Sequence, residues 1–237
     1  MSVRLLFPTV IFEYNLLEEG LVTQTYLDEL KADMDGMRRQ DPVGRQISNA
    51  YTGWQSNDGV NERPIFQSLL NGVETVFDNE VFPFYMGKES EDCKLHHGNY
   101  WVNINYKHSY NNVHSHPGCW YSGVFYLQVP EETRGSGALQ FLSGHSKHMS
   151  DFVHCSRRDT DNFVVDPKEG DVLLFPSSML HYVEPNEVDF DRISIAFNND
   201  FIHKGGPRNS NDKLQLPSFN DVMEFEVQPD GNLEFPK

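Results

Sequence analysis

Residues 169–186 read EGDVLLFPSSMLHYVEPN and combine turn and strand signals in one stretch. A Gly-Asp turn precedes the apolar strand VLLF, and a Pro-Ser-Ser corner leads to a second strand headed by His181. Polar side chains at such corners line the mouths of β-barrels, where ligands bind. The stretch therefore predicts a barrel or jelly roll, with His181 near a candidate site.

Further short β segments lie on both sides of this stretch, at 100–106, 121–129, 137–142, 162–167 and 192–198. Because no helical pattern separates them, they predict a barrel or two packed sheets. Upstream, residues 6–14 predict a strand, and residues 18–34 and 63–77 carry apolar residues at helical spacing. Downstream, the Pro-Asp-Gly turn in VMEFEVQPDGNLEFP predicts a hairpin. We expect one domain over 1–237, with the strand and helices of about 1–94 packed on a β core of about 95–200 and a C-terminal extension at 201–237.

The composition narrows the class of protein. Three cysteines without CxxC spacing argue against a disulfide framework and predict a reducing compartment. A formal net charge of −16 with no Lys/Arg cluster argues against a nucleic-acid partner. No stretch is apolar enough to cross a membrane, and the N-terminus lacks the cleavage site of a signal peptide. We therefore expect a cytoplasmic protein without a membrane partner.

Two histidines stand one residue apart in VHSHPGCWYSGVFYL, residues 113–127. On a strand, His114 and His116 would face the same side. They either point together at a metal ion or are polar residues at a strand start that bond to nearby backbone. Taken alone, the pair leaves both interpretations open, and so does His181.

The segment DRISIAFNND, residues 191–200, alternates polar and apolar side chains. If its apolar set packs against the helices, Arg192 and Ser194 point into the barrel, where a guanidinium fork beside a hydroxyl suits a carboxylate. If the faces are reversed, Arg192 is exposed to solvent.

In the order His-x-His, His and Arg-x-Ser, these residues resemble the HxD/E…H…RxS motif of the iron(II)- and 2-oxoglutarate-dependent oxygenases. The chain is similar to bacterial and phage members with an HxHP motif. It shares with them GWQS at 53–56, HSHPG with YSGVFYL, GDVLLFPSSMLHYVEP at 170–185 and RISIAFN at 192–198. The resemblance covers about residues 6–199. It implies a mainly β fold with flanking helices, built on a double-stranded β-helix, the jelly-roll or cupin-like barrel.

The resemblance also implies roles for individual residues. His114 and His181 match the two histidine ligands of iron. Arg192 and Ser194 match the clamp for the distal carboxylate of 2-oxoglutarate. On the strand before the histidine pair, we expect Asn103, Asn105 and Tyr106 to contact 2-oxoglutarate or the iron ligands. Near the substrate mouth, we expect Trp120 and Tyr126.

His116 stands where most of the superfamily has Asp or Glu. A neutral imidazole there leaves the site one negative charge short, although imidazole is a suitable ligand for iron. The site is then a working three-histidine variant, a site completed by a carboxylate from elsewhere, or a metal site with slow turnover. Asp151 and Asp161 are downstream acids that could supply such a carboxylate.

The function implied is that of a non-haem dioxygenase using iron(II), 2-oxoglutarate and O2, with ascorbate as an optional reductant. It would hydroxylate a C–H bond of a protein side chain, an amino acid or a small metabolite, with release of succinate and CO2. One alternative is a three-histidine iron dioxygenase that does not use 2-oxoglutarate, against which Arg192-x-Ser194 argues. Another is a non-catalytic metal-binding jelly-roll module. The expected partner is a small-molecule or protein substrate. The oligomeric state stays open, with a homodimer as one option, and a phage-encoded chain would act in the host cytoplasm.

Overall fold

The computed structural model describes residues 9–46, 50–129, 136–143 and 162–204, and two short strands near the C-terminus. Its helices are α1 (Gln24–Gln40), α2 (Gln67–Val76) and α3 (Phe82–Met86), with a π turn at Phe77–Val81 and 3₁₀ turns at Val60–Glu62, Pro64–Phe66 and Gly87–Asp92. Its strands are β1 (Phe12–Asn15), β2 (Ala50–Tyr51), β3 (Trp54–Gln55), β4 (Cys93–Asn105), β5 (Tyr110–His114), β6 (Tyr121–Gln128), β7 (Leu139–Leu142), β8 (Asn162–Val165), β9 (Asp171–Pro176), β10 (His181–Val183), β11 (Arg192–His203), β12 (Glu226–Val227) and β13 (Leu233–Glu234).

Two antiparallel sheets form the β core. The major sheet has the strand order β1-β9-β6-β11-β4-β3, and the minor sheet has the order β2-β5-β10-β7-β8. Non-consecutive strands are therefore neighbours in both sheets, as in a jelly roll. The predicted fold class, a mainly β double-stranded β-helix with flanking helices, is confirmed.

The helices cover one face of the major sheet, which we call the outer face. A single buried cluster joins Leu27 and Leu30 of α1 and Val73 of α2 with Ile193 and Ile195 of β11. The apolar set of β11 therefore packs against the helices. Because side chains alternate along a strand, Arg192 and Ser194 point to the opposite, inner face, towards the minor sheet.

A second buried cluster lies between the sheets. It contains Tyr126, Leu139, Phe141, Val165, Leu173 and Phe175, which come from both sheets. Tyr126, Leu139 and Phe175 of this cluster also line a cavity, and the candidate site lies there.

The early elements differ from their predicted bounds. The predicted strand 6–14 is observed at Phe12–Asn15, and residues 6–8 lie outside the described part of the chain. The predicted helix 18–34 begins later, at Gln24, because the Thr23 side chain caps it by accepting from the Tyr26 N–H at 3.2 Å. It then runs on to Gln40, where Asp41 ends it ahead of Pro42.

The predicted helix 63–77 begins as a 3₁₀ turn at Pro64 and extends as α2, the π turn and α3 to Met86. The chain divides into two compact units, residues 1–204 and 205–237. In the second unit β12 and β13 pair antiparallel, where the sequence predicts a hairpin. The expectation of one domain over 1–237 stays a prediction. Among the described residues, no helix has the length and apolar character that a membrane span requires.

Candidate active site

Three histidines converge in the cavity between the sheets. His114 ends β5 and His181 begins β10, and the two are direct partners in the minor sheet. His116 lies beyond the end of β5, in the turn that contains Pro117, and its backbone N–H donates to the Ser177 carbonyl at 2.8 Å. One ring nitrogen of each histidine lies within 4.8 Å of those of the other two. Three imidazole nitrogens at this spacing can share one metal ion.

The hydrogen bonds of two rings assign their tautomers. The Nδ1 atom of His114 lies 2.6 Å from the Asn112 carbonyl, and that of His181 lies 2.9 Å from the Met179 carbonyl. A carbonyl only accepts, so each Nδ1 carries the proton and each Nε2 keeps a free lone pair. A ring oriented in this way is typical of a metal-binding histidine.

Burial keeps the three rings neutral. Desolvation, reinforced by the neighbouring rings, lowers the pKa of His181 to about 3 and that of His116 to about 4. Desolvation also lowers the pKa of His114, against the hydrogen bond to Asn112. Neutral imidazole is the form that binds metals, so the cluster is in its binding form at neutral pH.

Aromatic rings surround the cluster. The Phe175 ring lies 4.9 Å from that of His181 in an edge-to-face contact, and Phe141 lies 6.0 Å from it. The Trp101 ring lies 5.6 Å from that of His116. These neighbours hold the rings in place and exclude water from one side of the cluster.

Arg192 brings a buried cation to the same cavity. Its residue is 2% exposed, and its Nε and Nη2 atoms have no hydrogen-bond partner among the described residues. The guanidinium carbon lies 4.8 Å from the centre of the Tyr126 ring, and the Tyr126 hydroxyl also lacks a partner in the described part of the chain. Ser194, 4% exposed, lines the cavity two residues further along β11. A buried cation without an anion is costly, so this arrangement fits an anionic ligand.

The other residues predicted for the site are divided between the two faces of the major sheet. Asn103 and Tyr126 line the cavity. Asn105 is buried and donates from Nδ2 to Asn111 Oδ1 at 3.3 Å, and Asn111 itself lines the cavity. The remaining two predicted residues lie elsewhere.

Tyr106 and Trp120 are not among the cavity-lining residues. Tyr106 packs on the outer cluster, with the Arg38 guanidinium 5.9 Å from its ring centre. Trp120 stacks on Phe82 at 6.0 Å and contacts Phe201 at 4.5 Å, on the side of the helices. Asp151 and Asp161, the candidate acids for completing the metal site, lie outside the described residues.

The cavity also contains residues that the sequence interpretation did not assign. Gln55 of β3 donates from Nε2 to Asn103 Oδ1 at 2.7 Å. The only sequence signal for Gln55 was its place in GWQS. The cavity is lined by Gln55, Trp101, Asn103, Asn111, His114, His116, Gly123, Val124, Tyr126, Leu139, Phe175, His181, Val183, Arg192, Ser194 and Ala196.

Solved structures with the same fold come from several oxygenase types. A Pseudomonas putida prolyl-4-hydroxylase is 12% identical, with a TM-score of 0.55 over 80% of this chain and 92% of that chain. The α-ketoglutarate-dependent epimerase SnoN of nogalamycin biosynthesis is 13% identical, with a TM-score of 0.57 over 83% and 81%. HygX from Streptomyces hygroscopicus, solved with nickel and 2-oxoglutarate, is 14% identical, with a TM-score of 0.51 over 81% and 82%. At these identities the likeness shows the fold.

A family match covers every described cavity-lining residue except Gln55. Residues 99–198 match the family described as "Putative 2OG-Fe(II) oxygenase". No curated protein matches the sequence. The matched region contains the three histidines and the Arg192-x-Ser194 pair. Over residues 99–198 the chain is therefore similar in sequence to the iron(II)- and 2-oxoglutarate-dependent oxygenases.

Proposed function

We propose that the protein is an iron(II)- and 2-oxoglutarate-dependent dioxygenase that hydroxylates a C–H bond of a protein side chain, an amino acid or a small metabolite. The observation that carries the proposal is the buried guanidinium of Arg192, which lies in the same cavity as the three histidines and has two nitrogen atoms without a partner among the described residues. A metal-binding cluster alone would not need this cation.

The histidine cluster fits iron(II). His114, His116 and His181 would hold the ion through one ring nitrogen each, and imidazole is a suitable ligand for iron. The backbone carbonyls that accept from His114 and His181 fix the two rings. Three protein ligands leave room for other ligands, as a catalytic metal requires.

The part of the cavity around Arg192 fits the distal carboxylate of 2-oxoglutarate. Arg192 presents two adjacent N–H groups, and a guanidinium can bind a carboxylate through two parallel hydrogen bonds. Ser194 and Tyr126 supply hydroxyl groups on the next inward-facing positions of the major sheet. A carboxylate here would neutralise the buried guanidinium and would also accept hydrogen bonds from its Nε and Nη2 atoms.

When bound, iron(II) and 2-oxoglutarate supply the oxidising chemistry, with O2 consumed and succinate and CO2 released. The protein itself binds the metal ion and the cosubstrate, orients them and shields them from water. Attachment at two ends would hold the cosubstrate in one orientation, which lowers the entropic part of the barrier. Leu139, Val183 and Phe175 line the walls with apolar groups that exclude water. The structure of HygX with nickel and 2-oxoglutarate supports this assignment by analogy of fold.

Succinate production tests the proposal. The protein is incubated with iron(II), 2-oxoglutarate, ascorbate and O2, and succinate is measured with and without candidate amino acids and peptides. We expect the wild type to form succinate slowly alone and faster with a substrate. The His181→Ala variant should lose this activity, because it lacks one imidazole.

The control variant is His96→Ala, which removes an exposed histidine of β4 and should leave succinate formation unchanged. Succinate formation that persists in His181→Ala would contradict the proposed metal site. Iron binding in the wild type without any 2-oxoglutarate turnover would favour the non-catalytic module.

A further inference from the structure

Gln55 lines the cavity and carries a buried hydrogen-bond acceptor that is unpartnered within the described part of the chain. The residue is 3% exposed, and its Oε1 atom has no hydrogen-bond partner among the described residues. Its Nε2 atom donates to Asn103 Oδ1 at 2.7 Å, so the other end of the amide is already occupied. An unsatisfied buried acceptor costs free energy, and a ligand that donates to it recovers that cost.

The surrounding structure holds Gln55 in a fixed position. Its backbone carbonyl accepts from the Arg45 N–H at 2.8 Å. The neighbouring Trp54 is 4% exposed and donates from Nε1 to the Asp41 carbonyl at 2.7 Å. Gln55 is also the direct partner of Asn103 in the sheet. An acceptor on such a rigid support is preorganised for recognition.

Gln55 lies at one end of a transverse row on the inner face of the major sheet. Adjacent strands place Gln55, Asn103, Ser194 and Tyr126 in register. With strands about 4.8 Å apart, Gln55 lies about 10 Å from Ser194 and further from Tyr126. It is therefore separated from the hydroxyl groups assigned above to the carboxylate.

The proposed cosubstrate cannot satisfy Gln55. At neutral pH 2-oxoglutarate has two carboxylates and a ketone, all of which only accept hydrogen bonds. It matches the donors of Arg192 and repels a lone carbonyl oxygen. A ligand that donates to Gln55 Oε1 is therefore a molecule other than 2-oxoglutarate, and the proposed reaction brings the prime substrate into the same cavity.

We propose that Gln55 is a specificity-determining residue that accepts a hydrogen bond from a neutral N–H or O–H of the prime substrate, which is an amide or an alcohol. This inference rests on the proposed function. A neutral donor is favoured over an ammonium group because none of the described cavity-lining residues is a carboxylate, and Arg192 already places a cation there.

Matched pairs of small probes test the inference. One pair is N-methylacetamide and N,N-dimethylacetamide, which differ in one N–H, and the other is 2-methoxyethanol and 1,2-dimethoxyethane, which differ in one O–H. Methylammonium is the charged probe. Each is titrated into the zinc-loaded, ¹⁵N-labelled protein, with and without 2-oxoglutarate, while the indole N–H resonance of Trp101 is followed, because this ring lines the cavity.

We expect the donor of at least one pair to bind about 10-fold more tightly than its methylated partner. Tighter binding of N-methylacetamide than of N,N-dimethylacetamide identifies an amide substrate. Tighter binding of 2-methoxyethanol than of 1,2-dimethoxyethane identifies an alcohol. In Gln55→Met, which keeps the side-chain length, the preference should fall to about 1-fold while 2-oxoglutarate affinity changes less than about 2-fold. Asn61→Leu is the matched control, since its unpartnered Oδ1 lies outside the cavity lining, and it should keep the preference.

Several results would overturn the inference. They are equal binding within both pairs in the wild type, a preference that survives in Gln55→Met, a preference for methylammonium, or a 10-fold loss of 2-oxoglutarate affinity in Gln55→Met. If Gln55→Met does not fold, the wild-type comparison decides alone. A wild type that binds no 2-oxoglutarate refutes the proposed function instead, and the titrations without 2-oxoglutarate still report on Gln55.

Discussion

Replacing Arg192 with methionine should weaken the binding of 2-oxoglutarate without destabilising the ligand-free protein. Methionine keeps much of the volume and removes the charge and the donors. Two charge-assisted hydrogen bonds, at about 1.5–3 kcal/mol each, would be lost. We therefore expect 2-oxoglutarate to bind the variant at least about 100-fold more weakly.

Without ligand, the same substitution removes a buried cation, two of whose nitrogens find no partner in the part of the chain that the structure describes. Replacing a buried ion by an apolar residue of similar volume is often neutral or stabilising, by up to about 4 kcal/mol. The lost contact with the Tyr126 ring offsets roughly 1–2 kcal/mol of that gain. The ligand-free variant should therefore be as stable as the wild type, or up to about 3 kcal/mol more stable.

Urea unfolding of the zinc-loaded protein, with and without 2-oxoglutarate, measures both effects. Added 2-oxoglutarate should stabilise the wild type in proportion to the logarithm of its concentration and leave Arg192→Met unchanged. Arg38→Met is the control, because Arg38 is partly exposed and pairs with Asp35 and Asp191 at the surface. It should change stability by less than about 1 kcal/mol and leave ligand binding intact.

Two outcomes would refute this reasoning. If Arg192→Met is stabilised by 2-oxoglutarate as much as the wild type, the guanidinium does not bind the carboxylate. If the ligand-free variant loses about 3 kcal/mol or more, Arg192 serves the fold, and its unpartnered nitrogens do not indicate a ligand.

Three further predictions concern the metal ligands, pH and the fold. His116→Ala should weaken iron(II) binding at least about 10-fold by isothermal titration calorimetry, whereas His96→Ala should not weaken it. If His116→Ala binds iron(II) as tightly as the wild type, His116 is not a ligand. Below pH 6.5 the unfolded chain binds a proton at His181, whereas the folded chain binds it only at about pH 3. The free energy of unfolding therefore decreases as the pH is lowered. Metal-free protein should lose about 2 kcal/mol at pH 5 from this residue, and His181→Asn should lose less in urea unfolding. Thr23→Ala should lower the free energy of unfolding by about 1 kcal/mol in the same assay. An unchanged free energy of unfolding would show that the Thr23 side chain does not stabilise α1 as its N-cap.

The facing of β11 shows what the sequence could and could not predict. The alternation in residues 191–200 placed Arg192 and Ser194 on the opposite face of the strand from the apolar side chains. It did not determine which of the two faces points into the barrel. The packing of Ile193 and Ile195 against the helices decides this, because helix contacts depend on residues far away in the chain. The strands, being bounded by turn residues, were predicted well.

Tyr106 and Trp120 lie outside the cavity lining for local structural reasons. Tyr106 follows the last residue of β4 and packs on the outer face with Tyr100 and Ile104, away from Asn105. Trp120 has the same parity as Tyr126, but it precedes the first residue of β6, and alternation does not hold beyond a strand end.

Gln55 escaped prediction because its strand is two residues long, too short to show a period. Likewise, His116 lies beyond the end of β5, so the period of the strand could not orient it. Its place beside His114 and His181 depends on the Pro117 turn and on the bond of its N–H to Ser177.

Anaerobic spectroscopy tests most directly whether the three histidines and Arg192 form one site for iron(II) and 2-oxoglutarate. Iron(II) is added to the wild-type protein without O2, and 2-oxoglutarate is then titrated while the visible spectrum is recorded. If these residues form one site, a charge-transfer band should appear and saturate at one 2-oxoglutarate per iron. Iron bound at full stoichiometry with no band at any 2-oxoglutarate concentration would contradict it.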